Sequence, residues 1–367
     1  MKRLKQLIAP ILTIVILGAA VIYLSGKFKY FLGLDSGGWI YLAVSVFPVL
    51  MFFGLFRLSN SSSSLGSLGY KLSAFAIAFI LYFLISAILV DIVAVFTDIP
   101  PGVMGVISVV LAALFVIAGF INSFRIKVTR HSIPVPGLKK ELKVAHLSDI
   151  HIGHFRGRKF LRRVVDLTNM QKPDLVVITG DFFDGRINLN TDVTNSLKSL
   201  KSPAFFVNGN HDVYSGLEDV LSVLNQSGVR ILSNEVVDLN GIHIAGLNHM
   251  RADENTSGMH AAHGPVMKEV LPGINIIKNK PSILLHHSPD GIEYANREGI
   301  DLYFSGHTHG GQQFPVTLIN QALFRFNKGL HDYNGTRIIV SEGIGTFGPP
   351  VRIATKSEVV IADLMPA

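Results

Sequence analysis

Five polar clusters between residues 149 and 309 of this 367-residue chain carry groups that could do chemistry. They are Asp149-Ile150-His151, Gly180-Asp181, Gly209-Asn210-His211-Asp212, His286-His287 and Gly306-His307-Thr308-His309. Each follows a short apolar, strand-like run. α/β folds gather ligand sites at such strand ends, because the loops there converge on one sheet edge. Asp-x-His lets two side chains turn to the same side of one loop, and His-x-His does so again. Glycines before Asp181, Asn210 and His307 permit sharp turns and close approach. The set offers two carboxylates, one amide and up to four ring nitrogens. Such hard oxygen-plus-imidazole ligands suit Mn²⁺, Fe or Zn²⁺ rather than Cu(I), with Mn²⁺ the first expectation. One ion would leave ligands over, whereas two divalent ions use them all, with Asp181 central enough to bridge. Two such ions, roughly 3.5–4 Å apart, clamp a phosphate and acidify a bridging water into a hydroxide nucleophile. His286 and His287 are neighbours in a strand and point to opposite faces, so only one can face the metals.

The elements that must position these groups alternate in period. Strand-like runs are Lys143–Leu147, Leu175–Thr179, Ala204–Asn208, Gly241–Leu247, Ile283–His287, Leu302–Ser305, Arg337–Val340 and Glu358–Ala362. Helical patterns cover Arg158–Met170, Leu217–Gln226, Pro265–Ile277 and Pro289–Arg297. An α/β domain over 142–367 is expected, preceded by a basic, Pro-containing linker over 125–141.

The first 124 residues are of another kind. Mean hydropathy of the whole chain is high, +0.40, and four apolar runs at about 7–24, 39–58, 72–96 and 103–124 account for it. Each approaches the ~20 residues that cross a bilayer as a helix. A cleaved leader could explain the first run but not the other three. Asp91 is expected at an interface, since it lies near the end of its run, and the spans otherwise show no paired charges. With four spans both chain ends share a side, and that side carries Lys2, Arg3, Lys5, Arg57, Lys71, Arg125, Lys127 and Arg130. The opposite loops carry only Lys27 and Lys29, with Asp35 and Asp98. The positive-inside rule therefore puts the α/β domain in the cytoplasm, on a multi-pass protein of the cell (inner or plasma) membrane. No basic stripe or aromatic platform accompanies the net charge of +7, so nucleic acid is not an expected partner. The chain has no cysteine, which excludes disulfides and thiolate metal sites.

The five blocks, in this order, resemble the calcineurin-like metallophosphoesterase superfamily over residues 142–365. The run Gly-His-Thr-His followed by Gly310-Gly311-Gln312 is similar to its bacterial membrane-associated phosphohydrolases. The resemblance implies a two-sheet β-sandwich flanked by helices. It implies that Asp149, His151 and His309 hold one metal, that Asn210, His287 and His307 hold the other, and that Asp181 bridges. It selects His287 over His286. It also implies that His211, not a ligand, contacts the phosphate and protonates the leaving group, with Asp212 orienting its ring. Asp184 could assist the site or cap a turn. His154, His243, His249, His260 and His263 read as surface or supporting residues. Arg156, Arg158 and Arg251 are candidate phosphate contacts, more readily read as solvated charges.

The expected function is metal-dependent hydrolysis of a phosphoester or pyrophosphate. Membrane spans suggest an amphiphilic or lipid substrate, of the kind of a UDP-diacylglucosamine lipid A precursor. The alternatives are a phosphodiesterase or phosphatase acting on a soluble nucleotide or phosphoprotein, and a membrane sensor or transporter whose hydrolase domain regulates it. The sequence leaves the oligomeric state open.

Overall fold

A computed structural model describes residues 2–34, 37–256 and 264–367, with side chains from residue 15 onward. Asp35, His260 and His263 lie outside the described residues. The chain forms two compact bodies. One comprises residues 1–58 and 63–119, the other 59–62 and 120–367.

The first body is built on four helices: α1 (Lys2–Leu32), α2 (Gly38–Leu58), α3 (Ser64–Ala94) and α4 (Pro101–Ser123), whose last turn belongs to the second body. Ser63 starts α3 by accepting a hydrogen bond from the Gly66 amide, and Pro101 opens α4, where no amide donor is needed. All four are long and apolar enough to cross a membrane. Large apolar side chains such as Leu42, Phe52, Phe53 and Phe56 on α2 point outward, the arrangement of a helix solvated by lipid rather than water. One expectation is corrected here. The spans do hold a paired charge: Lys27 Nζ donates to Asp91 Oδ1 at 2.5 Å, and the Tyr23 hydroxyl donates to Asp91 Oδ2 at 2.7 Å. Asp91 lies within one turn of the end of α3, so neither ion is left alone in hydrocarbon.

Among the described residues, the second body contains twelve strands in two six-stranded sheets. The strands are β1 (Ile126–Val135), β2 (Leu142–Leu147), β3 (Leu175–Thr179), β4 (Ala204–Val207), β5 (Arg230–Ile231), β6 (Glu235–Leu239), β7 (Ile242–Gly246), β8 (Ser282–Leu285), β9 (Leu302–Ser305), β10 (Gly329–Tyr333), β11 (Thr336–Val340) and β12 (Ser357–Pro366). Their orders are β1-β12-β2-β3-β4-β5 and β10-β11-β9-β8-β7-β6. The helices are α5 (Arg158–Met170), α6 (Thr191–Thr194), α7 (Asn210–Tyr214), α8 (Leu217–Gln226), α9 (Met267–Val270), α10 (Ile292–Arg297) and α11 (Val316–Leu323).

Period-two burial explains the layering. On β3, Leu175 and Val177 enter the core between the sheets, while Val176 and Ile178 enter the core shared with α5 and α8. The second sheet is covered on its other face through Ile292 and Ala295 of α10. Strands buried on both faces read as continuous apolar runs, which is why β3, β4, β8 and β9 were visible in sequence.

The stretch 125–141 is not a free linker. β1 pairs in parallel with β12 over ten residues, Ile126 with Ser357 through Val135 with Pro366. Its alternating Ile-Lys-Val-Thr-Arg pattern marks an edge strand, and the basic residues masked that signal. The expected helix over 265–277 is broken: α9 stops at Val270, and Pro272-Gly273 turn the chain into a short 3₁₀ segment. β5, β6, β10, α6, α7 and α11 were not anticipated.

Candidate metal centre

The loops after β2, β3, β4, β8 and β9 converge at one edge, and each brings one of the five polar clusters. Three groups of ligand atoms result among the described residues, the third being His151 with Asp184 and His211. In the first, His309 Nε2 lies 3.3 Å from Asp149 Oδ1 and 3.1 Å from His151 Nε2. In the second, His287 Nε2 lies 3.1 Å from both Asp181 Oδ2 and His307 Nδ1. Asp181 Oδ2 is also 3.9 Å from His151 Nε2, so this carboxylate stands between the groups.

Backbone strain marks the same residues. Asp149, His151, Asp181, His307 and His309 all have positive φ, between 49° and 70°. That left-handed region is uncommon for residues with a side chain, and its concentration here aims five side chains at one place. Gly209 is required for close approach, because a Cβ there would collide with the Asp181 carboxylate.

The donor set fits divalent cations. Asn210 Oδ1 is buried with no hydrogen-bond partner among the described residues, an unpaired acceptor of the sort a cation would satisfy. Ring nitrogens face each other at 3.1 Å where two imidazoles converge, and a shared cation would serve both. His287 Nδ1 donates to the Thr179 carbonyl at 2.8 Å, which leaves Nε2 as the lone-pair nitrogen toward Asp181. Without a cation the electrostatics are polarised. The neighbouring imidazoles outweigh burial and hold Asp149 and Asp181 well below the usual carboxylate range. Burial, with the charges of His211 and His309, pushes His151 down to about 3. Against burial, Asp181 and Asp149 hold His287 up at about 9.

His286 faces away, with Nδ1 2.9 Å from the Ser288 carbonyl and 2.8 Å from the Tyr303 hydroxyl. His211 sits at the open side, its side chain 25% exposed. Its amide donates to Asp181 Oδ1 at 2.8 Å, and its Nδ1 lies 3.2 Å from Asp184 Oδ1. Burial opposes charge on this ring, but Asp181 and Asp184 raise its pKa to about 9.

Asp212 departs from its expected role. Its carboxylate does not orient the His211 ring. It accepts from the amides of Asp181 and Gly209 at 2.8 Å, of Phe182 at 2.9 Å and of Phe183 at 3.3 Å. Residue 212 lies within α7 and looks back at the loop after β3, whereas Asp184 leaves that loop on the His211 side. Arg156 also differs from expectation. It is buried, donates to Thr346 Oγ1 at 2.6 Å and to the Ser123 carbonyl at 3.2 Å, and lies over the rings of Phe124 and Phe160. His154 is bonded to the Ser59 carbonyl at 2.9 Å. Arg158 is exposed and Arg251 half-buried. His249 stands near the second group, its ring 5.5 Å from that of His287 and 6.1 Å from that of His307. His243 is bound at the far end of β7, its Nε2 3.6 Å from Asp238 Oδ2.

Three supports had no role assigned from the sequence, although Gln312 lies in the Gly-Gly-Gln run noted there. Ser148 Oγ donates to Asp149 Oδ2 at 2.6 Å. The buried Arg352 donates to the carbonyls of Glu342 at 2.5 Å and Gly345 at 2.7 Å, with Nη2 3.2 Å from His309 Nδ1. Gln312 holds the loop at Phe347 through its side-chain amide, and the Phe347 ring lies 5.2 Å from His309 and 5.9 Å from His211. The Gly-Gly-Gln run thus places an aromatic wall beside the proposed proton donor.

The pattern of the calcineurin-like phosphoesterase family matches residues 142–311. A metallophosphoesterase of Campylobacter jejuni is 34% identical over 261 residues, covering 70% of this chain and 68% of that protein. One of Aquifex aeolicus is 32% identical over 265 residues, covering 69% of this chain and 97% of the relative. A transmembrane protein with a metallophosphoesterase domain from Danio rerio is 32% identical over 271 residues, covering 69% of this chain and 61% of the relative. The aligned stretch thus spans about two thirds of the first of these and less of the third. The two mixed sheets, the ligand-bearing loops at their edge and these similarities lead to one conclusion: the chain belongs to the calcineurin-like metallophosphoesterases.

Proposed function

We propose that this protein is a membrane-anchored hydrolase of phosphoester or phosphoanhydride bonds, dependent on two divalent ions, manganese first among them. The observation that carries the reading is the buried, unpartnered Asn210 Oδ1 beside two converging groups of carboxylate and imidazole atoms. Asp149, His151 and His309 would hold one ion, Asn210, His287 and His307 the other, and Asp181 both. When bound, such ions supply positive charge for the phosphate oxygens and lower the pKa of water toward neutrality.

The remaining chemistry belongs to the chain. His211 is the proton donor to the leaving group. Asp184 holds its Nδ1, which leaves Nε2 to carry the mobile proton toward the open side. Phe347 walls that side and limits water around the ring. Asp212 acts through the backbone, fixing the loop that carries Asp181 and the turn that carries Asn210. We place the domain in the cytoplasm, supported by the loop charges. An amphiphilic substrate, of which an acylated nucleotide-sugar pyrophosphate is one type, fits a site tethered to apolar helices.

The deciding experiment is a substrate panel. Purified full-length protein with Mn²⁺ is offered a lipid-linked pyrophosphate, a cyclic nucleotide, a simple diester and a monoester. Turnover of at least one, abolished in Asp181→Asn, is the expected result. Absence of turnover on all four, with both ions bound, would overturn the reading.

A further inference from the structure

Helix α11 is inside out. Thr317 is buried, and Asn320 turns inward to donate to the Thr308 carbonyl at 3.0 Å, within the Gly-His-Thr-His loop. Its apolar residues face outward instead: Leu318 is 56% exposed, Ile319 59% and Leu323 73%. A helix on a water-facing surface has the reverse pattern. The segment Gln312–Phe324 contains no Asp, Glu, Lys or Arg, although much of it lies at the surface.

The apolar surface continues around the mouth of the metal centre. Phe324 packs edge-on against His307 at 5.8 Å, Phe347 borders His211, and the exposed Tyr214 lies 5.8 Å from His211 on the far side. Scattered exposed apolar residues need no explanation, but aromatic rings grouped at the histidines of one polar site do.

What covers this rim is indicated by where the chain leaves this body. The segment leading into α11 is tied to residues 352–355: Phe314 N donates to the Ile353 carbonyl at 3.0 Å, and Gln313 bridges Ile353. The same short segment receives Asn122, whose side chain donates to the Arg352 and Thr355 carbonyls at 3.0 Å. Asn122 belongs to the last turn of α4, the final apolar helix. The segment leading into α11 and the last turn of a helix of membrane-spanning length therefore meet on the same short run, 352–355. Arg325 follows Phe324 directly and is exposed, lying over the Phe326 and Tyr333 rings, a cation suited to anionic headgroups, whereas Lys328 just beyond pairs with Glu342 at 3.9 Å.

We propose that α11 and the aromatic rim beside it are a bilayer-docking face, which seats in the headgroup–acyl boundary and holds the mouth of the metal centre at the lipid surface. The physics is that of an interfacial helix: apolar side chains gain by leaving water, and a flanking cation gains at an anionic leaflet. The side chains project from a convex helix rather than line a groove, which fits a lipid surface better than a single bound chain.

The test reads depth, not turnover, so it stands apart from the proposed reaction. The full chain is reconstituted in vesicles of phosphatidylcholine and phosphatidylglycerol. Its single tryptophan is removed as Trp39→Phe, and a new one is placed as Leu323→Trp or, separately, Leu318→Trp. Met170→Trp, on α5 and equally open to solvent, is the control. Expected is blue-shifted emission at 323 and 318, quenched severalfold more by brominated phosphatidylcholine than the control and shielded from acrylamide. Quenching by acrylamide to the extent of the control would overturn the proposal. So would shielding from both quenchers, the mark of a second copy or another protein on this face.

Discussion

His211 Nδ1 lies 3.2 Å from Asp184 Oδ1, while the Asp212 carboxylate, one residue along the chain, is spent on four backbone amides. The acid that serves the proposed proton donor thus comes from the loop after β3. Asp184→Asn should therefore lower the rate and move the basic limb of the kcat profile to lower pH, because losing that carboxylate lowers the His211 pKa. His211→Ala should lose ~10²–10⁴ in rate with both ions retained, the usual worth of a general acid. A pH profile of Asp184→Asn superimposable on the parent would remove Asp184 from this role.

Asp212→Ala should act on stability. It strips four amides of their acceptor in a buried turn, at about 1–3 kcal/mol for each one left unsatisfied. We expect a markedly lower melting temperature for the catalytic body, with Asp212→Asn between the two. An Asp212→Ala protein as stable as the parent, but inactive, would show that the carboxylate works in chemistry instead.

Asp181→Asn and Asn210→Ala should lower metal content as well as rate, because each removes a proposed ligand atom. Elemental analysis after gel filtration checks this. Unchanged stoichiometry in both variants would dissolve the assignment.

His146 gives a pH-dependent stability. Its Nε2 donates to Thr179 Oγ1 at 2.7 Å, and its buried Nδ1 has no partner among the described residues. A second proton would have no acceptor, and burial lowers the pKa from 6.5 to about 4. The unfolded chain binds that proton at higher pH than the folded one. Stability is therefore full above pH 6.5 and declines as pH falls toward 4, by about 3 kcal/mol in all. Bound cations would neutralise Asp149, whose charge favours the imidazolium, so loading strengthens the effect. Melting curves of His146→Gln should lose this part of the acid sensitivity.

The topology can be read with thiols, since the chain has none. Lys201→Cys, on the exposed surface of the catalytic body, should react with an impermeant maleimide only after cells are opened. Asp98→Cys, between α3 and α4, should react in intact cells. The reverse pattern would place the catalytic body outside.

Much of the site was written in local spacing. Asp-x-His, Gly-Asn-His-Asp and Gly-His-Thr-His are short-range patterns, and a ligand must sit on a loop whose glycines and strand ends are themselves local features. The four apolar helices were equally plain, because crossing a bilayer is a matter of length and composition. Tertiary structure decided what depends on direction. Which carboxylate faces His211 follows from how two loops meet, and Asp184 and Asp212 are both merely acids near a glycine in sequence. Arg352 reaches His309 from 43 positions along the chain, which no spacing records. β1 hides as a basic linker because an edge strand needs a partner, β12, more than two hundred residues away. The outward face of α11 appears only once Thr317 and Asn320 are seen to point inward, since eight residues without charge read in sequence as ordinary core.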